Sequence, residues 1–414
     1  MFFYKLQNKV LISRYKHNEF ELISEKEAEK SKDIVYILTR MNPLKSRRSF
    51  CITDPSLMFL KEEGVHLIKK EKNAKTELPA WIKEKIKKKR LSSINIEYPN
   101  WQDVLNHQPP SKWRIHIVGL GDVGGMLLTG LRLLGGKYID SIGIFDKNIQ
   151  VMKRWELEAN QIFCSYGSQK FPEIHPVSEE NIFDCDLFIF CATTGVPSLG
   201  REKNDVRMAQ FEGNSKIISI YALKAREKLF KGIFAVVSDP VDLLCKHVFL
   251  SSNKNKNDKF DFRGLAPEQI RGYGLGVMNA RAVYYAKQNI KTATYMRKGR
   301  AYGPHGDGLI IANNVKKYDE KLSEQLTNQT LKANLDVRKT GFKPFVGPAL
   351  SSGSYPIIAT LSGKWHYSAT FLGGVFMGVK NRLQKSGIEI ERLNISPVLM
   401  RKISNTYRKL NLFL

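Results

Sequence analysis

The sequence contains no run of 18 apolar residues, so no helix able to cross a bilayer is expected. Its opening, MFFYKL, is apolar too briefly for a secretory signal. Cysteine is scarce, five residues in 414, and none forms a Cys-x-x-Cys pair. That argues against a disulfide framework and against thiolate metal sites. Cysteines such as Cys185 and Cys191 lie in apolar runs and read as buried thiols of a reduced, cytoplasmic protein. No internal repeat is present. Acidic residues are the minority, 40 against 66 Lys and Arg, which leaves a net charge of +26. A surplus of this kind suits nucleic acid, an anionic surface or an anionic small molecule. No basic stretch is interleaved with aromatic residues, so nothing specifies bases. The lysines are spread along most of the chain, which favours the small molecule.

What is present divides into three parts. Apolar residues make up 42% of the chain, enough for two or three domains with real cores. Residues 1–110 alternate apolar and polar positions in short pieces (KVLISRY, FELIS, DIVYILT), which predicts a small β-rich extension with an early hairpin around His17–Glu19. WIKEKIKKKR at 81–90 predicts a basic helix with a solvated face. Pro109-Pro110-Ser111 marks a boundary. From Trp113, apolar strands alternate with helices, and SIGIFD, CDLFIFCAT and GIFAVVSDP read as strands. This predicts an α/β domain over 111–250 with a Rossmann-type doubly wound parallel sheet. Beyond 250, helices and extended segments mix, which predicts an α+β domain over 251–414.

The turn after the first of these strands is GLGDVG. Gly119 permits the tight turn, Gly121 lets backbone approach a pyrophosphate, and Gly124 lets the helix pack on the strand. The helix amino terminus then receives the phosphates. Asp146 ends the next strand, 22 residues after Gly124. A carboxylate there accepts ribose hydroxyls and repels a 2′-phosphate, so NAD is favoured over NADP, although Lys147 follows at once. Gly119, Gly121, Val123, Gly124, Asp146, Thr193 and Gly195 are the candidate cofactor residues. No metal site is indicated.

Four further stretches follow in order: TTGVP at 193–197, REKNDVRMAQFEGN at 201–214, SDPVDLL at 238–244 and GYGLGVMNAR at 272–281. GPHGD closes the series at 303–307. Together with the glycine turn, this series resembles the L-lactate/malate dehydrogenase family over about residues 113–410. The resemblance implies an NAD-dependent oxidoreductase that interconverts a 2-hydroxy acid and a 2-oxo acid. It implies that His305 is the acid/base and that Arg207, seven residues before Asn214, polarises the substrate carbonyl. It gives Arg201 the specificity position and Arg281 the fork on the substrate carboxylate. Arg201, Arg281 and Asn214 are therefore the candidate substrate contacts, and two carboxylate-reading arginines favour a malate-like substrate. The chemistry suits these residue types. Histidine transfers a proton near neutrality, a fixed cation stabilises a developing alkoxide, and a guanidinium grips a carboxylate with two parallel bonds. The resemblance also implies a homo-oligomer.

Three places depart from the pattern. Where the resemblance implies an aspartate that holds the histidine ring, this chain has Met278, whose thioether is a poor acceptor. Where it implies an asparagine in the Ser-x-Pro-Val-Asp stretch, this chain has Asp239. One carboxylate is lost and one is gained, so Asp239 is expected to replace the missing partner of His305. The alternative is a protein that keeps the NAD fold but turns over poorly and serves as a sensor or scaffold. Ser354-Tyr355 stands where the resemblance implies a substrate-contacting threonine. The other seven histidines are expected to be structural.

Overall fold

A computed structural model describes residues 1–71, 77–166, 170–194 and 206–413. Two large sheets organise it. The first has six strands: β1 (Phe2–Leu6), β2 (Lys9–Ser13), β3 (Glu21–Ile23), β4 (Val35–Thr39), β5 (Ser49–Cys51) and β6 (Leu91–Asn95). Their order is β3-β1-β2-β4-β6-β5. The expected hairpin forms earlier than 17–19. It joins β1 to β2 through Gln7 and Asn8, which take φ values of 50° and 60°, the left-handed pair that a two-residue hairpin turn requires. Residues 17–19 instead wrap back so that β3 lies beside β1. His17 pins that loop, its ring bonding Ser13 Oγ at 3.2 Å and Glu19 Oε1 at 3.0 Å. The basic stretch is a helix over Ala80–Lys87. Lys83, Lys87 and Lys88 are exposed, but Lys85 turns inward and donates to the carbonyls of Ser31 and Asp33 at 2.6 and 2.8 Å.

The second sheet has nine strands: β7 (Trp113–Val118), β8 (Ile139–Phe145), β9 (Glu173–Pro176), β10 (Leu187–Phe190), β11 (Ile233–Val236) and β12 (Ile270–Gly272), then β15 (His366–Leu372), β16 (Val375–Gln384) and β17 (Gly387–Ile390). β13 (Arg300–Tyr302) and β14 (Ile310–Ala312) form a separate two-stranded ribbon. The nine-strand order is β17-β16-β15-β12-β11-β10-β7-β8-β9. Within it, β12-β11-β10-β7-β8-β9 is parallel and reverses its winding between β7 and β10. That is the doubly wound dinucleotide-binding topology, which places ligands outside the carboxyl ends of the strands at the reversal. β15, β16 and β17 add antiparallel to this same sheet, so the sheet runs on past residue 250.

The apolar residues explain the assembly. β10, LFIF, is buried at every position, as a strand covered by helices on both faces must be. A separate core joins Ile12, Ile37 and Ile82 of the amino-terminal part to Met377, Ile388 and Ile403 near the end of the chain.

Candidate active site

The glycine turn lies at the carboxyl end of β7 and opens the helix Asp122–Gly135. Each glycine answers a different steric demand. Gly119 has φ +90°, and a methyl group on it would stand 2.6 Å from the backbone nitrogen of Ala192. The loops after β7 and β10 therefore touch at the reversal point. A methyl on Gly124 would sit 1.9 Å from the Gly119 carbonyl oxygen, whereas one on Gly121 meets no atom within 4 Å. Gly121 thus faces open space in front of a helix amino terminus, a cradle shaped for a phosphate. Val123 is half-buried against the core of this unit. Asp146 braces the same turn, accepting from the backbone N–H groups of Leu120 at 2.9 Å and Asn148 at 3.0 Å. Thr193, in the loop after β10, is exposed.

The loop after β11 carries Ser238 and Asp239. Ser238 donates to the Ala192 carbonyl at 2.7 Å, which ties this loop to the one after β10. Asn214 makes a second tie. It is 1% exposed, its Oδ1 accepts from the Thr194 N–H at 2.9 Å, and its Nδ2 donates to the Asp239 carbonyl at 2.7 Å. Sequence reasoning had made Asn214 a substrate contact. The structure gives its buried amide a different occupation, as a brace between the two loops.

His305 lies in the loop between β13 and β14, where Gly303, Gly306 and Gly308 all have positive φ. Its Nδ1 stands 2.9 Å from Asp239 Oδ1, with 16% of the histidine side chain exposed. The carboxylate gained at 239 therefore sits on the imidazole. Two further residues that sequence reasoning passed over fix the histidine. Asp242 Oδ2 accepts from its backbone N–H at 3.3 Å, and Gly274 leaves room for it, since a methyl there would fall 2.9 Å from the His305 Cβ. The signal for Asp242 was the second acid of SDPVDLL, three residues after Asp239.

Met278 is 4% exposed and packs with Leu275, Ala282 and Leu326. Its sulfur receives Arg281 Nη1 at 3.7 Å. Arg281 is half-buried, and burial lowers its pKa while the charges of Tyr285 and Asp239 raise it. Asp239 therefore acts on both His305 and Arg281. Arg207 lies in the first turn of the helix Val206–Glu227. Seven residues are nearly two helical turns, so its position shares a face with Asn214. Gly195 and Arg201 lie outside the described residues. Ser354 is wholly buried and donates to the Leu127 carbonyl at 3.1 Å, and Tyr355 is exposed. Ser354 thus packs against the helix after the glycine turn. Four of the seven remaining histidines, His17, His116, His247 and His366, are held by hydrogen bonds within the fold, whereas His66 and His107 are exposed. His175 meets His116 edge to face.

No family model matches the chain. Among curated proteins it is 27% identical over 238 residues to L-lactate dehydrogenase 2 of Lactobacillus acidophilus, covering 56% of this chain and 69% of the relative. It is 27% identical over 253 residues to L-lactate dehydrogenase 2 of Staphylococcus aureus, covering 58% and 73%. Among solved structures it is similar to the lactate dehydrogenase of Cryptosporidium parvum, with TM-score 0.59 and 18% identity over 73% of this chain and 97% of that one. It is likewise similar to the malate dehydrogenase of Archaeoglobus fulgidus, with TM-score 0.55 and 21% identity over 72% and 97%. The structural likeness carries the fold, and the curated proteins add a likeness in sequence. With the glycine turn, the doubly wound order and the His305–Asp239 contact in one molecule, the chain is similar in sequence and in fold to the L-lactate/malate dehydrogenases.

Proposed function

We propose that this protein is an NAD-dependent dehydrogenase that interconverts a 2-hydroxy acid and a 2-oxo acid. The observation that carries the reading is the 2.9 Å contact between His305 Nδ1 and Asp239 Oδ1, made at the strand ends where the fold binds dinucleotides. The open cradle at Gly121 fits a pyrophosphate, and Gly119, Gly121, Val123, Gly124, Asp146, Thr193 and Gly195 are the residues that would hold NAD. When bound, NAD supplies the hydride chemistry at the substrate's C2.

The chain's own groups manage the proton and the charges. With Nδ1–H donated to Asp239, Nε2 is the free nitrogen of the ring. In reduction of a 2-oxo acid, protonated His305 gives its Nε2 proton to the carbonyl oxygen. In oxidation, neutral His305 takes the hydroxyl proton. Asp239 stabilises the imidazolium that alternates with the neutral ring, which is the work of a carboxylate beside a catalytic histidine. Arg281 grips the substrate carboxylate with its guanidinium fork, and Arg207 offsets the negative charge that grows on oxygen. Arg201 reads a second carboxylate, so a malate-like substrate is preferred. The substrate is a small acid. In this reading the enzyme works as a homo-oligomer in the cytoplasm, in keeping with five free thiols and no helix among the described residues long and apolar enough to cross a membrane.

NADH oxidation measured against a panel of 2-oxo acids tests the proposal. Turnover is expected, with oxaloacetate faster than pyruvate. NADH binding without turnover on any 2-oxo acid would replace the enzyme with an NAD-binding sensor or scaffold.

A further inference from the structure

A cavity of about 760 Å³ lies at the amino ends of the parallel strands, opposite the carboxyl ends whose loops carry Asp239. Its walls include Trp113 at the start of β7, Asp186 just before β10 and Gly232 just before β11. Across from them stand Tyr36 of β4, Ser49 of β5 and Ser92 of β6. The cavity is thus the joint between the amino-terminal sheet and the amino ends of the parallel strands. The proposed dehydrogenase chemistry uses none of it. Its volume falls within the roughly 300–1,000 Å³ range of small-molecule sites.

The charges on its walls do not cancel. Arg48 pairs with Glu268 at 3.1 Å, and Arg114 pairs with Asp186 at 3.0 Å. Lys228 and Lys385 have no carboxylate within 4 Å among the described residues, and Asp184 is the one wall carboxylate outside those two pairs. Arg271 is the third uncompensated cation. It is 0% exposed, and its Nη2 reaches only neutral partners: Asn381, Ser368 at 3.3 Å and His366 at 3.3 Å. Among the described residues, the neutral Tyr273 hydroxyl is the one further polar group that supports the guanidinium, by a hydrogen bond and its dipole, and it also engages Thr360 Oγ1 at 2.9 Å. The Arg271 Nε and Nη1 find no other hydrogen-bond acceptor among the described residues. A buried guanidinium without a carboxylate is costly unless some anion compensates it. Trp113, Phe183 and Phe230 supply apolar wall beside these cations.

We propose that this joint is a binding site for a small organic anion with an aromatic body, its charge met by Lys228, Lys385 and Arg271. Such a ligand would touch both sheets at once and so would couple the amino-terminal part to the dehydrogenase sheet.

The test uses the aromatic sulfonate 8-anilinonaphthalene-1-sulfonate as probe, on the full chain with NAD present in excess to fill the nucleotide turn. NAD binding is measured separately by calorimetry, so that failure at the turn is not confused with failure at the joint. One equivalent of NAD-resistant probe binding is expected. The double charge reversal K228E/K385E should weaken it about tenfold or more. K332E/K409E makes the same change in net charge on exposed positions outside the cavity wall and should leave binding within about twofold of wild type. All four lysines are exposed, so folding should survive. Absence of NAD-resistant binding overturns the proposal. So does binding that both double variants weaken equally, or that neither weakens.

Discussion

At the scale of single residues, the proposed function rests on a carboxylate at position 239 and a thioether at 278. Met278 is buried among apolar side chains, and the carboxylate that orients His305 comes from the loop after β11. Met278→Leu conserves volume and apolarity, which is usually tolerated at a cost under about 1.5 kcal/mol. Steady-state turnover of that variant should therefore stay within about threefold of wild type. Two glycines give a second contrast. Gly121→Ala adds a methyl group in open space, so its thermal midpoint should match wild type while NAD affinity falls. Gly124→Ala drives a methyl into the Gly119 carbonyl, so it should lower the thermal midpoint itself. Calorimetry for NAD and a melting curve on each variant separate the two outcomes. Equal behaviour of the two would mean that the cradle is not where phosphate lies.

At the scale of elements, loops at the carboxyl ends of the strands are laced together before any substrate arrives. Asn214 joins Thr194 to Asp239, and Ser238 joins its loop to Ala192. Asn214→Ala removes the amide and leaves the Thr194 N–H and the Asp239 carbonyl without it, which costs roughly 1–3 kcal/mol where the polar groups stay unsatisfied. Urea unfolding should show that loss, and turnover should fall because Asp239 loses its anchor. Unchanged stability would mean that the brace does not hold. These elements were legible to different degrees. The glycine turn, Asp146 and the alternation of strands and helices from 113 onward are local patterns, and the fold follows them. Asp239 was legible as the gain that answers a loss at 278. The brace at Asn214 was not, because a buried amide between two loops leaves no spacing in the sequence. The first hairpin was misplaced because Gln7-Asn8 lacks the glycine that usually marks such a turn.

At the scale of the whole molecule, the amino-terminal 110 residues are structurally joined to the rest. Their sheet shares a core with Met377, Ile388 and Ile403, and the β17 strand lies close to β5. Chain order concealed this, since the two ends of the sequence meet only in three dimensions. A truncation beginning at residue 111 should fail to give a folded, soluble protein, as judged by circular dichroism and gel filtration. A monodisperse, active truncation would contradict the shared core. Acid sensitivity follows from buried histidines. Burial, reinforced by Arg271, holds His366 down at about 3, and burial also lowers His116 and His247. The unfolded chain protonates near the ordinary histidine value of about 6.5 while the folded chain does not. It therefore binds more protons between those limits, and stability is full above that range and falls as pH drops from about 6.5 toward 3. Urea midpoints at pH 7.5 and 5 should differ, the acid value being lower, whereas equal midpoints would show that these rings already carry protons in the fold.

The comparison that bears most directly on the site is Asp239→Asn against wild type, in kcat for reduction of the best 2-oxo acid across pH 5–9. Asparagine keeps the shape and removes the charge. In serine proteases the equivalent neutralisation lowers turnover by about 10⁴-fold, and a loss of about 10²-fold or more is predicted here, together with a shifted acid limb of the pH profile. A kcat within a few-fold of wild type and an unmoved profile would show that His305 works without Asp239.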